Sequence, residues 1–294
     1  SLFSQYKNNV FFIPAFFTLT EWFRGVIFTG FPWLSLGYSQ IPNSSLAGYI
    51  SITGIHGVTF CVLLSIIIIL RIFTMKYCRE SIFLFLFLIL IWVGGELLKN
   101  ISWVGKINSP LKVSLIQGNI SQDKKWDNNF LEENLQMYMN LVKSSNSSLI
   151  ILPETSIPLM LHQIPNGYLN KVRSHAIKNN GDVILGVIEK DNGKFYNSAV
   201  SIGSAPMQYY RKHHLVPFGE FIPFEKLIGY IYENWLRIPF SNLSRGSEIQ
   251  PPIAVSDQKL GLNICYEDVF GYEIIKSLPE ATILVNLSND AWYG

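Results

Sequence analysis

The sequence predicts two regions in series: a set of apolar helices, then an α/β domain built on a helix-covered sheet. Three observations carry this. Of the 44 Asp, Glu, Lys and Arg residues, 10 fall in residues 1–110 and 34 in residues 111–294. Between Gly25 and Leu70 there are 46 residues with no charged side chain. Beyond residue 110, short apolar runs alternate with amphipathic stretches, and several of those runs end on a polar residue. A length of 294 residues allows one or two domains, and the change in charge density sets a boundary near Ser109–Leu111.

Composition removes several classes of function. Charged residues make up 15% of the chain against roughly 25% in an ordinary soluble domain. Mean hydropathy is +0.24, which excludes disorder, a state that needs low hydrophobicity and high net charge. Net charge is +2 with no basic stripe, which argues against nucleic-acid binding. Three cysteines cannot build a disulfide scaffold.

Residues 1–110 read as a transmembrane region. A spanning helix needs roughly 20 apolar residues, and three stretches meet that length: 10–28, 49–70 and 81–98. Glu21 and Arg24 interrupt the first; three residues apart, they share a helix face and read as a mutual pair. A secretory signal peptide does not fit, since there is no single short apolar region with a cleavage site. The chain opens on Ser1 and reads as a fragment. Loop 71–80 holds Arg71, Lys76 and Arg79, whereas loop 29–48 holds no Lys or Arg. The Lys/Arg bias of short loops therefore places 71–80 in the cytoplasm and 29–48 outside, so that everything after Lys99 lies outside the cytoplasm. Trp33, Trp92 and Trp103 fall near the expected interfaces. The aromatic external loop could dip into the outer leaflet, or pack between helices.

Residues 111–294 alternate between two periods. Strands are expected at 111–120, 148–154, 182–189, 195–203, 259–265 and 281–290. Helices are expected at 130–142, 168–178 and 269–277. Asp191-Asn192-Gly193 reads as a hairpin turn, and a proline-punctuated loop is expected from about Tyr210 to Pro223. Buried strands with polar C-terminal ends indicate a sheet covered by helices, whose sites gather at the carboxyl ends of strands. Glu154, Cys265 and the pair Asn289–Asp290 all occupy that kind of position.

Cys265 is the centre of the chemical reading. A cysteine at a strand end is commonly a small buried hydrophobe. Here Cys61 falls in an expected span and Cys78 in the expected cytoplasmic loop, which leaves Cys265 alone on the oxidising side as a candidate reactive thiol. A thiol nucleophile needs a base. Of His162, His175, His213 and His214, none follows an apolar strand, though the last two flank the 210–223 loop. Glu154 is the alternative base: in an apolar setting its carboxyl would be raised toward neutrality, though Glu in such a place also serves as a helix cap. Lys212 could be a surface charge or could stabilise an oxyanion, with Glu220 orienting it. No metal-ligand spacing is present.

The motifs ILPETS, YRKHHLVPFGEFIP, ICYED and LSNDAWYG together resemble the nitrilase, or carbon–nitrogen hydrolase, superfamily. EWFRGVIFTGFPWLSLGYSQ, KKWD, FSNLSRGSEIQPP and SNDAWYG narrow the resemblance to bacterial apolipoprotein N-acyltransferases, over nearly the whole chain. The resemblance implies a nitrilase-like αββα sandwich, incomplete at its C-terminus, after a bundle of transmembrane helices. It implies Glu154 as general base, Lys212 as the triad lysine and Cys265 as the nucleophile. Glu220, Trp126, Tyr266 and Glu267 become supporting positions. The implied reaction moves a fatty acyl chain from a phospholipid through a cysteine thioester to the N-terminal amine of a diacylglyceryl-cysteine in an apolipoprotein. No cofactor is needed, and the implied partners are a phospholipid acyl donor, a diacylglyceryl apolipoprotein acceptor and the lipid bilayer. The implied place is the bacterial inner membrane, multi-pass, with the catalytic domain on the periplasmic side. Family members extend beyond both ends of this chain, so the polypeptide ending at Gly294 is expected to be inactive alone. The alternatives are a membrane-tethered amidase or nitrilase acting on a small amide, and a degenerate lipid-binding scaffold. All three triad residues are present, which disfavours the scaffold.

Overall fold

A computed structural model describes residues 9–74, 79–105, 110–223, 242–289 and 291. Lys76, Cys78 and Asp290, singled out above, lie outside the described residues, as do 240–241 of the FSNLSRGSEIQPP motif and 292–294 of SNDAWYG. The chain divides into two units, residues 1–106 and 107–294.

The first unit holds α1 (Phe12–Arg24), α2 (Ile50–Thr74) and α3 (Arg79–Lys99). Two helical segments are long and apolar enough to cross a membrane, Ser45–Thr74 with 30 residues and Arg79–Lys99 with 21. The expected first span, 10–28, is corrected: α1 has 13 residues, and a three-span bundle is not seen among the described residues. The helix stops where the backbone turns back, with Gly25 donating to the Glu21 carbonyl at 3.0 Å and Phe31 donating to that of Arg24 at 2.8 Å.

Glu21 explains the turn. It lies 3.8 Å from Arg24, as the sequence suggests, but it is buried and also accepts from Leu36 N at 2.9 Å and Thr59 Oγ1 at 2.8 Å. The carboxylate thus pins the 29–48 loop to α2. That loop is packed between helices at Leu46, Ala47 and Gly48, while Phe31, Trp33 and Leu34 are exposed. Leu46, Val58, Val62, Leu64, Ile68 and Ile91 form this unit's core. Most of α3 is not covered: only Ser81, Ile91 and Gly95 are buried, and Phe83 is 77% exposed.

The second unit is a layered α/β structure. One sheet orders β1 (Val113–Leu115), β2 (Leu149–Ile151), β3 (Asp182–Asp191), β4 (Lys194–Gly203) and β5 (Gln208–Arg211). The first three strands are parallel and the last two pairings antiparallel, so the sheet is mixed. β3 and β4 form a hairpin closed by Asn192 (φ 48°) and Gly193 (φ 78°), two left-handed residues whose twist matches a two-residue turn. The second sheet orders β6 (Ile253–Val255), β7 (Gln258–Ile264) and β8 (Ile283–Leu287), with β7 and β8 parallel.

Period-two alternation assigns each face. Ile150, Val183, Leu185, Val187 and Val200 pack against α4 (Leu131–Ser144) and α5 (Asn166–Lys178) through Leu135, Met139, Val172 and Ala176. Leu149, Ile151, Ile184 and Ala199 face the second sheet, where Ile253, Leu260, Leu262, Ile264 and Leu287 meet them. Burying each such aliphatic side chain stabilises by about 1.5–3 kcal/mol. The helix–sheet–sheet stack is present; beyond the second sheet, the described residues add only the short helical turns Gly271–Ile274 and Ile275–Ser277.

Candidate active site

Three sequence-distant segments meet at the strand ends of the second unit. Glu154 follows β2, Lys212 follows β5 and Cys265 follows β7. Each backbone is fixed by its surroundings. Gly186 on β3 lets the Glu154 turn cross it, since a Cβ there would lie 2.3 Å from the Pro153 carbonyl oxygen. Ser156 N then donates to the Gly186 carbonyl at 3.0 Å. Lys212 N donates to the Asn197 carbonyl at 2.8 Å, and Gly246 N donates to that of Lys212 at 2.9 Å. Cys265 sits at φ 52°, a left-handed conformation that costs a non-glycine residue about 1–3 kcal/mol. It is the residue at which the strand breaks into the turn Cys265–Val269, and its carbonyl accepts from Asn286 Nδ2 at 3.2 Å.

Lys212 is 1% exposed, so its ammonium must be compensated. Two carboxylates do this: Glu220 Oε1 at 2.9 Å and Glu154 Oε1 at 3.7 Å. Burial pulls the lysine down, but the charges of Glu220, Glu154 and Cys265 outweigh it and raise the ammonium above its ordinary value. Lys212 therefore stays cationic. Glu220 is held in turn by Val216 N, which donates to its Oε2 at 2.8 Å.

The setting expected for Glu154 is corrected. Its carboxylate is buried but faces Lys212 and accepts from Asn197 Nδ2 at 2.7 Å, so its surroundings are polar. Asn197 also donates to Glu220 at 3.1 Å, bridging the two carboxylates. Burial pushes the Cys265 thiol up to about 11, with Glu154 raising it further and Lys212 and Ser288 opposing. At neutral pH the sulfur is a thiol, and it needs a base as it reacts. The histidine rings are occupied elsewhere: His213 Nδ1 lies 2.9 Å from the Gly246 carbonyl oxygen, and His214 Nδ1 2.8 Å from Glu273.

Glu267 braces the site. Its Oε1 accepts from His213 N at 2.7 Å and His214 N at 3.0 Å, and its Oε2 from Ile264 N at 2.7 Å and Tyr210 OH at 2.8 Å. One carboxylate thus ties the loop carrying Lys212 to the strand end carrying Cys265. Burial pushes its carboxyl up and those hydrogen bonds pull it back, with a net rise. Tyr266 is buried beside it, edge-on to Phe270 at 5.0 Å between ring centres, in an aromatic cluster with His214. Trp126 is 38% exposed, and its ring lies 5.5 Å from the Lys125 ammonium.

Asn197 and Lys125 are the two polar residues that the sequence reading did not single out. An Asn inside the otherwise apolar alternation of β4 was the available signal for the first, and the KKWD motif for the second. A cleft of about 810 Å³ is lined by Lys125, Glu154 and Asn289 together with apolar side chains such as Ile116, Ile120 and Leu287. Among the described residues no cluster of His, Cys, Asp and Glu has metal-binding geometry.

Comparison with known proteins places both parts of the chain in known families. The family model for carbon–nitrogen hydrolases matches residues 112–294, and that for the N-terminal domain of apolipoprotein N-acyltransferases matches residues 1–68. An apolipoprotein N-acyltransferase of Nitrosomonas europaea is 45% identical over 96% of this chain and 56% of its own length. That of Chromobacterium violaceum is 42% identical, again over 96% of this chain and 54% of its own. The chain thus spans about half the length of the curated relatives it matches. A solved carbon–nitrogen hydrolase superfamily structure from Xanthomonas campestris aligns with 61% of this chain and 64% of its own, at 18% identity and TM-score 0.42. With the family model covering the whole second unit from residue 112 onward, the chain belongs to the carbon–nitrogen hydrolase family.

Proposed function

We propose that this chain is the catalytic part of a membrane acyltransferase that moves a fatty acyl group from a phospholipid, through a thioester on Cys265, to the N-terminal amine of a diacylglyceryl-cysteine in an apolipoprotein. The observation that carries this reading is the pairing of two features in one chain. One is the meeting of Glu154, Lys212 and Cys265 in a unit that the carbon–nitrogen hydrolase family model matches; the other is an apolar helical unit, of which residues 1–68 match the N-terminal acyltransferase model. The exposed apolar surface of α3 supports a lipid setting, because side chains such as Phe83 at 77% and Leu97 at 66% exposure would be costly in water. The distribution of Lys and Arg supports the inner membrane with the catalytic unit on the periplasmic side.

The steps follow from the charges. Glu154 takes the proton of the Cys265 thiol while the sulfur electron pair forms a bond to the ester carbonyl carbon. The carbonyl π pair moves onto oxygen, where the Lys212 ammonium stabilises it. Collapse expels the glycerol oxygen, which takes the proton back from Glu154, leaving a lysophospholipid and the thioester. The lipoprotein amine then attacks the thioester carbon, gives a proton to Glu154, and sulfur leaves as the thiol once that proton returns. Glu220 keeps Lys212 charged and placed, and Trp126, Tyr266 and Glu267 support the site.

The test uses the full-length protein, a phospholipid with a labelled acyl chain, and a synthetic diacylglyceryl-cysteine lipopeptide. Label should appear as an amide on the lipopeptide α-amine, with one lysophospholipid released per transfer. Label released only as free fatty acid would replace this reading with a hydrolase.

A further inference from the structure

Lys125 ends the one-turn helix Gln122–Lys125 and is 5% exposed. Its ammonium donates to Thr155 Oγ1 at 2.7 Å and points at the Glu154 carbonyl oxygen at 3.5 Å. Thr155 is itself left-handed, at φ 43°, immediately after the proposed base. The turn that presents Glu154 is therefore strained, and the Lys125 side chain bonds to it directly. Burying an ammonium costs several kcal/mol unless it is compensated. A neutral donor could satisfy Thr155 and the carbonyl equally well. A cation does something further, since it acts on the Glu154 charge.

We propose that Lys125 is a positioning residue for Glu154: it fixes the Glu154–Thr155 turn and sets its positive charge beside the Glu154 carboxylate, which faces Lys212. This rests on the reading of Glu154 as the base in thioester formation. Lys125 moves no proton itself. Lys125 and Glu154 line the same cleft, with Ser288 and Asn289 also on its wall.

Burial lowers the Lys125 ammonium to about 8, with Glu154 raising it in opposition. Glu154 is the ionisable group acting on it among the described residues, and the ring of Trp126 faces it at 5.5 Å. Cys265, pushed to about 11, and Lys212, raised above its ordinary value, do not titrate in that region. Loss of the Lys125 proton would thus weaken the site as pH rises through about 8.

The experiment measures the rate of acyl adduct formation on Cys265 in the full-length protein. Donor vesicles are dioleoyl phosphatidylethanolamine, the pH runs from 6.5 to 9.5, and Lys125→Met and Lys125→Arg are compared with wild type. Wild type should slow as pH passes about 8. Lys125→Met should be at least about tenfold slower at pH 7, one 1.36 kcal/mol step in the barrier, with an unchanged half-saturating donor concentration. Lys125→Arg, which keeps its charge across the range, should recover the rate and lose the slowing above pH 8. A Lys125→Met rate within twofold of wild type overturns the inference, as does a pH limb that survives in Lys125→Arg. Should Lys125→Met not fold, the Lys125→Arg profile alone decides. Wild type that forms no adduct at any pH removes the acyl-transfer reading itself, a distinct outcome.

Discussion

Replacing Glu154 by Gln separates the two things its carboxylate does to Cys265. The amide keeps the size of the side chain and can still accept from Asn197 Nδ2, now 2.7 Å away. It can no longer take a proton. With the thiol at about 11, only about one molecule in 10⁴ carries a thiolate at pH 7, so attack depends on a base in place. A positioned base contributes roughly 10²–10⁴ in rate, and loss of that order is expected in Cys265 acylation at pH 7. The negative charge of Glu154 also raises the thiol, so its removal lowers the cysteine toward its ordinary range. The residual rate should then climb about tenfold per pH unit as thiolate forms directly, narrowing the gap to wild type in alkali. Single-turnover acylation followed by intact-protein mass spectrometry from pH 6 to 10 reads both effects. A variant within threefold of wild type at pH 7, or one whose deficit is constant across the range, would refute Glu154 as the base.

Other expectations follow from the same geometry. Lys212→Met leaves Glu154 and Glu220 facing one another without their shared cation, and breaking a buried pair costs about 3–5 kcal/mol. Both acylation and the thermal midpoint should drop, whereas an active variant of unchanged midpoint would contradict the arrangement. Gly186→Ala places a Cβ 2.3 Å from the Pro153 carbonyl oxygen and must displace the Glu154 turn, so acylation should suffer more than a neighbouring exposed Ala substitution predicts. Glu267→Gln turns one of the two oxygens into a donor; placed at the Oε2 position it faces the Ile264 N–H, although the Tyr210 hydroxyl can turn to accept from it, so stability should fall by roughly 1–3 kcal/mol in denaturant titration. Cys265 gives a pH signature: its folded thiol is raised, so the stabilisation is full below the unfolded value near 8.5 and is lost as pH climbs toward 11. The stability of wild type relative to Cys265→Ala should therefore fall by about 1–3 kcal/mol between pH 8.5 and 11, and a flat difference would remove the burial effect.

Much of the second unit was legible because its signal is local. β3 and β4 alternate cleanly between two buried faces, and Asn192-Gly193 announces the turn between them. β5 was hidden because Gln208–Arg211 carries no apolar alternation; its strand character comes from pairing with β4. α1 shows the same limit from the other side. Apolar composition runs through residue 28, but the helix ends at Arg24 because the Glu21 side chain ties the following loop to α2. At the site, Glu154, Lys212 and Cys265 could be proposed from strand ends and motifs. The roles of Asn197 and Lys125 and the individual bonds of Glu267 could not, since they depend on partners as far as 43, 29 and 57 residues away respectively. The left-handed turn at Cys265 carries no sequence mark at all; in the structure it is flanked by the Glu267 carboxylate accepting from Ile264 N.

The central claim is that Cys265 carries the acyl group, and it can be observed directly. Full-length protein incubated with phospholipid and no lipoprotein acceptor should accumulate one acyl chain. Hydroxylamine should release it, peptide mapping should place it on Cys265, and Cys265→Ala should abolish it. An acyl group on another residue, or one that persists in Cys265→Ala, would contradict the account.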